Sequence, residues 1–147
     1  MSEIDNRLFF TCSFIEYVAR STCNTKKYVV NKLGEANVKK IFSLADIYHS
    51  ENIDKIKDEF VDKCSIEFGD YDILSDIRNS NPPTYWDMGK VYSRLIIMLD
   101  SNTQLYVDNI IKVLSSFIVE KLDNYDSSLY YENSSYIYEC YVEGKIL

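Results

Sequence analysis

The chain has little of what builds hairpins, metal sites or phosphate loops. Among 147 residues there are two prolines, four glycines and one histidine. Tight hairpins draw on glycine or its substitutes, so this scarcity disfavours an all-β fold and favours a helical one. The four cysteines, at 12, 23, 64 and 140, form no C-x-x-C pair, and zinc ligands come paired at short spacing. Cys12, Cys64 and Cys140 fall on the apolar faces of predicted helices, and the cysteines read as buried reduced thiols in a cytoplasmic protein. No G-x-x-x-x-G-K-[ST], G-x-G-x-x-G, H-E-x-x-H or G-x-S-x-G run is present. No cofactor, no metal and no catalytic residue are therefore expected. No apolar run approaches the roughly 18–20 residues that span a bilayer, and no basic-then-apolar leader opens the chain.

What is present is enough apolar character for a core: 46% of residues are hydrophobic. The expectation is an all-α protein, a single compact domain of about six or seven helices. It would form one domain over 1–147, or two small subdomains, 1–80 and 81–147, around a shared core.

The net charge is −7, unevenly spread. Residues 21–41 carry five lysines and one glutamate, whereas residues 42–80 carry ten acids against four bases. Overall acidity opposes binding to nucleic acid through phosphate neutralisation.

The stretch Asn81–Leu99, NPPTYWDMGKVYSRLIIML, holds both prolines and the only tryptophan. Pro82 and Pro83 end what precedes them. Thr84 and Asp87 have the spacing of a capping box, with Asp in place of Glu. Met88, Val91, Leu95 and Leu99 follow at helical spacing, widened by Tyr92, Ile96 and Met98. Other helices are expected over Asp5–Arg20, Thr25–Leu33 (ended by Gly34), Ala36–Tyr48, Glu51–Cys64, Thr103–Leu122 and Ser134–Glu143 (ended by Gly144). The first and the Thr103–Leu122 helix are expected as the two spines, and Ile73–Ser80 as a short extra helix.

His49 ends a predicted helix, where it suits the dipole and the last carbonyls. It is also a candidate for partner contact and, more remotely, a base for a nearby Cys or Ser. TKKYVVNKLGEANVKKIF has the outline of a helix-turn-helix, with Asn37, Lys39 and Lys40 on the outer face of its second helix. The acids of residues 46–76 read as a solvated helix face, or as an imitation of a phosphate array. The tail from Asp123 is rich in tyrosine, a rigid ring with a polar tip that suits interfaces as well as cores.

At FIEYVARSTCNTKKYVVNKLGE and DIYHSENIDKIKDEFVDKC the first half resembles a group of small bacterial proteins of unknown function. In that group a tyrosine–histidine step, here Tyr48-His49, precedes an acid-rich helix. PPTYWDMGKVYSRLI is similar to the C-terminal part of longer uncharacterised relatives, through Trp86, Asp87, Gly89, Lys90, Val91 and Tyr92. The resemblance implies a toxin–antitoxin-like locus, often beside a predicted ADP-ribosyltransferase-like protein.

The favoured expectation is a non-enzymatic interaction protein, an antitoxin or accessory component that binds and neutralises such a toxin-like partner. Its contact residues are expected among His49, Trp86, Lys90, Tyr92, Tyr130, Tyr131 and Tyr136. The alternatives are an acidic phage or mobile-element inhibitor that mimics nucleic acid, and a DNA-binding regulator using Asn37, Lys39 and Lys40. No membrane contact is expected, and a homo-oligomer is left open.

Overall fold

The computed structural model describes residues 2–74, 81–127 and 129–147. Among these residues it is all-helical, with eight α-helices where the sequence suggests six or seven. They are α1 (Glu3–Thr22), α2 (Lys26–Ser43), α3 (Ala45–His49), α4 (Ile53–Lys63), α5 (Tyr85–Leu99), α6 (Tyr106–Leu114), α7 (Phe117–Asp123) and α8 (Ser134–Glu143). Most of the expected helical signals have their structural counterpart. Ser2, Thr25, Asn52, Thr84 and Asn133 cap their helices through side-chain oxygens. Thr84 and Asp87 close a reciprocal capping box: Thr84 N–H donates to Asp87 Oδ2 at 2.9 Å and Asp87 N–H to Thr84 Oγ1 at 3.0 Å. Gly144 ends α8 with φ +74°, a left-handed position that suits glycine.

Gly34, at φ +73° and ψ 167°, ends one helical arm and starts another, as the sequence suggests, and α2 is the pair of arms on either side of it. Two expectations need correction. The second arm stops at Ser43, so Ala45–His49 is a separate short helix and the expected Ala36–Tyr48 helix does not run through. The expected Thr103–Leu122 helix is also broken. Its first residues, Thr103–Leu105, form a 3-10 turn. It then parts at Ser115 and Ser116, where Ser116 is extended (ψ 170°) and its hydroxyl donates to Val113 O at 2.6 Å. A serine that bonds nearby backbone competes with the helix ladder, which apolar spacing alone does not show. The expected Ile73–Ser80 helix lies mostly outside the described residues.

The second spine is accordingly α5, laid along α1. Gly89 is what lets the two backbones approach: a Cβ there would fall 1.8 Å from Ser13 Oγ and 3.0 Å from Ser13 N. The buried apolar residues form one cluster drawn from both halves of the chain. It includes Leu8, Phe14 and Val18 of α1, Val29 and Ile41 of α2, Leu95 and Ile96 of α5, and Ile110 and Leu114 of α6. Around them, α2 packs on α6, and α8 on α5.

The segment after α4 is tied to the end of α1. Gly69 N–H donates to Thr22 O and Tyr71 N–H to Cys23 O, each at 2.8 Å, while Asn24 Nδ2 donates to Glu67 O at 2.7 Å. This strap carries Tyr71 onto the interior.

Candidate functional site

Two of the residues expected at a partner surface meet across 37 positions of sequence. α3 ends at His49, and the capping box starts α5 so that Trp86 lies in its first turn. Their ring centroids are 5.4 Å apart. Phe9 of α1 lies 5.5 Å from Trp86, and Tyr85 lies 4.9 Å from it. Tyr17 extends the row at 4.8 Å from Tyr85, and its hydroxyl donates to the Asp54 carboxylate of α4. His49 is exposed, and Phe9, Tyr17, Tyr85 and Trp86 are half-buried. The result is a continuous aromatic face, assembled from α1, α3 and α5 and edged by α4. Aromatic side chains are enriched in binding interfaces. Burial pushes the Tyr17 hydroxyl up to about 12, with Asp54 adding to the shift.

Beside His49 the face is indented by a notch of about 430 Å³ lined by Asn6, Phe9, Asp46, His49 and Ser50. Asp46 reaches it from α3 while its Oδ2 accepts a hydrogen bond from Arg7 at 3.0 Å. Arg7 also pairs with Glu3 at 3.3 Å.

Lys90 and Tyr130 line a second, smaller groove of about 200 Å³ with Asp87, Arg94, Glu132 and Ser134. Tyr131 is exposed beside Tyr130, at 5.0 Å between centroids. Tyr136 is half-buried, its hydroxyl donating to the Leu147 carbonyl. Tyr92 has no exposed surface and is a core residue, not part of any open face. Lys39 and Lys40 are exposed on α2, but the Asn37 amide is committed within the fold, donating to Leu33 O at 2.8 Å and to Cys64 Sγ at 3.5 Å.

The groups with the most perturbed acid–base character are interior. Lys26 is fully buried, with Nζ 2.7 Å from Asp123 Oδ1 and 2.9 Å from Glu16 Oε1. Arg20 Nε donates to Glu16 Oε2 at 2.8 Å and Arg20 Nη2 to Tyr125 Oη at 2.9 Å. Tyr71 Oη donates to Asp123 Oδ2 at 2.9 Å. Two carboxylates and two cations thus balance where α1, α2, α7 and the strap meet. Burial alone would raise the Glu16 carboxyl, but Lys26 and Arg20 together hold it below the ordinary value. Burial would likewise lower the Lys26 amine, and Glu16 and Asp123 carry it above its ordinary value instead. Asp123 is raised, by burial first and by Glu16, against the pull of Lys26. Burial also raises Tyr71, Tyr92 and Tyr125, with Asp123 or Glu16 adding to each.

Sequence reasoning singled out His49 and Trp86 separately and missed Phe9, Tyr17, Tyr85 and Asp46 as their neighbours. The density of rings on α1, beyond what one buried stripe needs, was the available signal. Lys26 was counted in the basic segment, and nothing local marks it as buried.

Among the described residues no cluster of three His, Cys, Asp or Glu side chains is placed to hold a metal ion. No helix among them is long and apolar enough to cross a membrane. The chain matches no protein-family model, no curated protein and no solved structure.

Proposed function

We propose that this chain is a non-enzymatic protein-interaction module, and more finely an antitoxin or accessory protein that neutralises a toxin-like partner. The aromatic face is the observation that carries the reading. Five aromatic or imidazole rings from three helices stand in one row, each at least partly open to solvent. Large rings presented on rigid helices bring contact area at low entropic cost. The buried ionisable groups Glu16, Lys26 and Asp123 engage one another in the interior, which supports a binding role over a catalytic one. The partner class, an ADP-ribosyltransferase-like protein, comes from the sequence resemblance alone.

A second reading, a mimic of nucleic acid, rests on the acidic face of α4, where Asp54 and Asp58 are exposed. Capture from nuclease-treated native cytosol separates the two. One stoichiometric partner retained at high salt is the expected result. A basic nucleic-acid enzyme released by salt would favour mimicry, and the absence of any protein partner would overturn both.

A further inference from the structure

Resting on the aromatic face as a protein-binding surface, we infer that its notch receives an arginine side chain from a basic segment of the partner.

The chemistry around the notch selects a cation. Its lining offers acceptors: the Asp46 carboxylate, the Asn6 amide oxygen and the Ser50 hydroxyl oxygen, whose proton is already given to Ile47 O at 2.9 Å. Asp46 is half-exposed, and the Arg7 bond occupies Oδ2, leaving Oδ1 for an incoming donor. The wall is the Phe9 ring, which continues into Trp86. A cation over such rings is attracted by their quadrupoles, and Trp is the strongest of them.

The surroundings have the same sign. The ion pairs on this side of the molecule join Glu3, Asp46, Glu51, Asp54 and Asp58 to only three bases, Arg7, Lys55 and Lys57. Each base is already held by a carboxylate of this chain, so the excess is negative. An anionic ligand would meet that excess, and the notch lining holds no lysine or arginine to offset it. Among cations, arginine fits better than lysine. Its planar guanidinium stacks on a ring while its fork addresses a carboxylate and an amide together.

Trp86 is the only tryptophan, so it reports on its own site. The test titrates the full chain with acetyl-tetraarginine amide, following Trp86 fluorescence and the amide chemical shifts, beside acetyl-tetralysine and acetyl-tetraglutamate amides. The expected result is a saturable response centred on Phe9, Asp46, His49 and Trp86, stronger for arginine than for lysine and absent for glutamate. Asp46→Asn should weaken it at least fivefold, and Asp62→Asn, on the far part of α4, less than twofold. Urea midpoints close to that of the wild type will confirm that both variants fold, and Trp86→Phe, read by shifts alone, should weaken the arginine response, because phenylalanine is the weaker ring for a cation. Shifts spread over the acidic surface, or equal effects of the two Asp variants, would overturn the inference. If the tetraarginine response fails while a captured protein is still lost on Trp86→Ala, the inference falls and the aromatic face stands. If both fail, the face itself is excluded.

Discussion

Lys26→Met is the sharpest perturbation of this fold. The amine is fully buried, 2.7 Å from Asp123 and 2.9 Å from Glu16. Methionine refills most of the stem but leaves two carboxylates short of one positive charge. Glu16 keeps Arg20 and Asp123 keeps only the Tyr71 hydroxyl. Breaking one partner out of a buried ion pair costs about 3–5 kcal/mol, against a total stability of about 5–15 kcal/mol for a domain. With a urea slope of about 2 kcal/mol/M, the unfolding midpoint should fall by about 2 M. The pH dependence should change as well. In the wild type Glu16 is lowered, so its contribution is present above its unfolded value and is lost as pH falls through the folded one. In the variant Asp123, already raised, loses the pull of Lys26 and rises further, the folded state binds the extra proton, and stability should rise as pH falls from 7 towards 4.5. Adding Asp123→Asn restores the charge balance and should recover part of the loss. Urea titrations at pH 7 and 5 decide the matter. A variant within about 1 kcal/mol of wild type, with the same pH slope, would refute the buried network.

Gly89→Ala should destabilise by about 1–3 kcal/mol through overpacking against Ser13, despite a helix-propensity gain of about 1 kcal/mol. Ser13→Gly in the same chain should rescue it, as urea midpoints will show. Thr84→Ala removes the hydroxyl that accepts from Asp87 N–H and should cost about 1 kcal/mol by the same measurement. Lys55→Met breaks an exposed pair with Glu51 and should change stability by less than about 0.5 kcal/mol. Above pH 10 the unfolded chain loses phenol protons that Tyr71, Tyr92 and Tyr125 retain when folded, so stability should fall as pH rises. Absorbance at the phenolate band should then rise in two phases, exposed tyrosines first and Tyr71, Tyr92 and Tyr125 only with unfolding.

Local chemistry made much of this architecture legible. Thr25, Thr84 and Gly144 mark helix ends because caps and left-handed positions are decided within a few residues. The breaks at Leu44 and at Ser115–Ser116 were hidden because the apolar spacing runs on through them. The prominence of α5 over the Thr103–Leu122 segment depends on Gly89 meeting Ser13, a contact across 76 positions that no window of sequence contains. Lys26 and Asp123, 97 positions apart, show the same limit for charge. A lysine in a basic segment looks solvated until the fold brings its carboxylates to it. Trp86 and His49 were each conspicuous for rarity, but only the capping box at Thr84 and the end of α3 place one ring against the other.

The central claim is that the row from Phe9 to Tyr17 is where a partner binds. The most direct measurement is the affinity of the partner captured from native cytosol for the wild type and for His49→Ala/Trp86→Ala, with urea midpoints confirming that the variant folds. The account predicts at least a tenfold loss for this variant and little change for Lys39→Glu/Lys40→Glu on α2. Wild-type affinity in the His49→Ala/Trp86→Ala protein would contradict it.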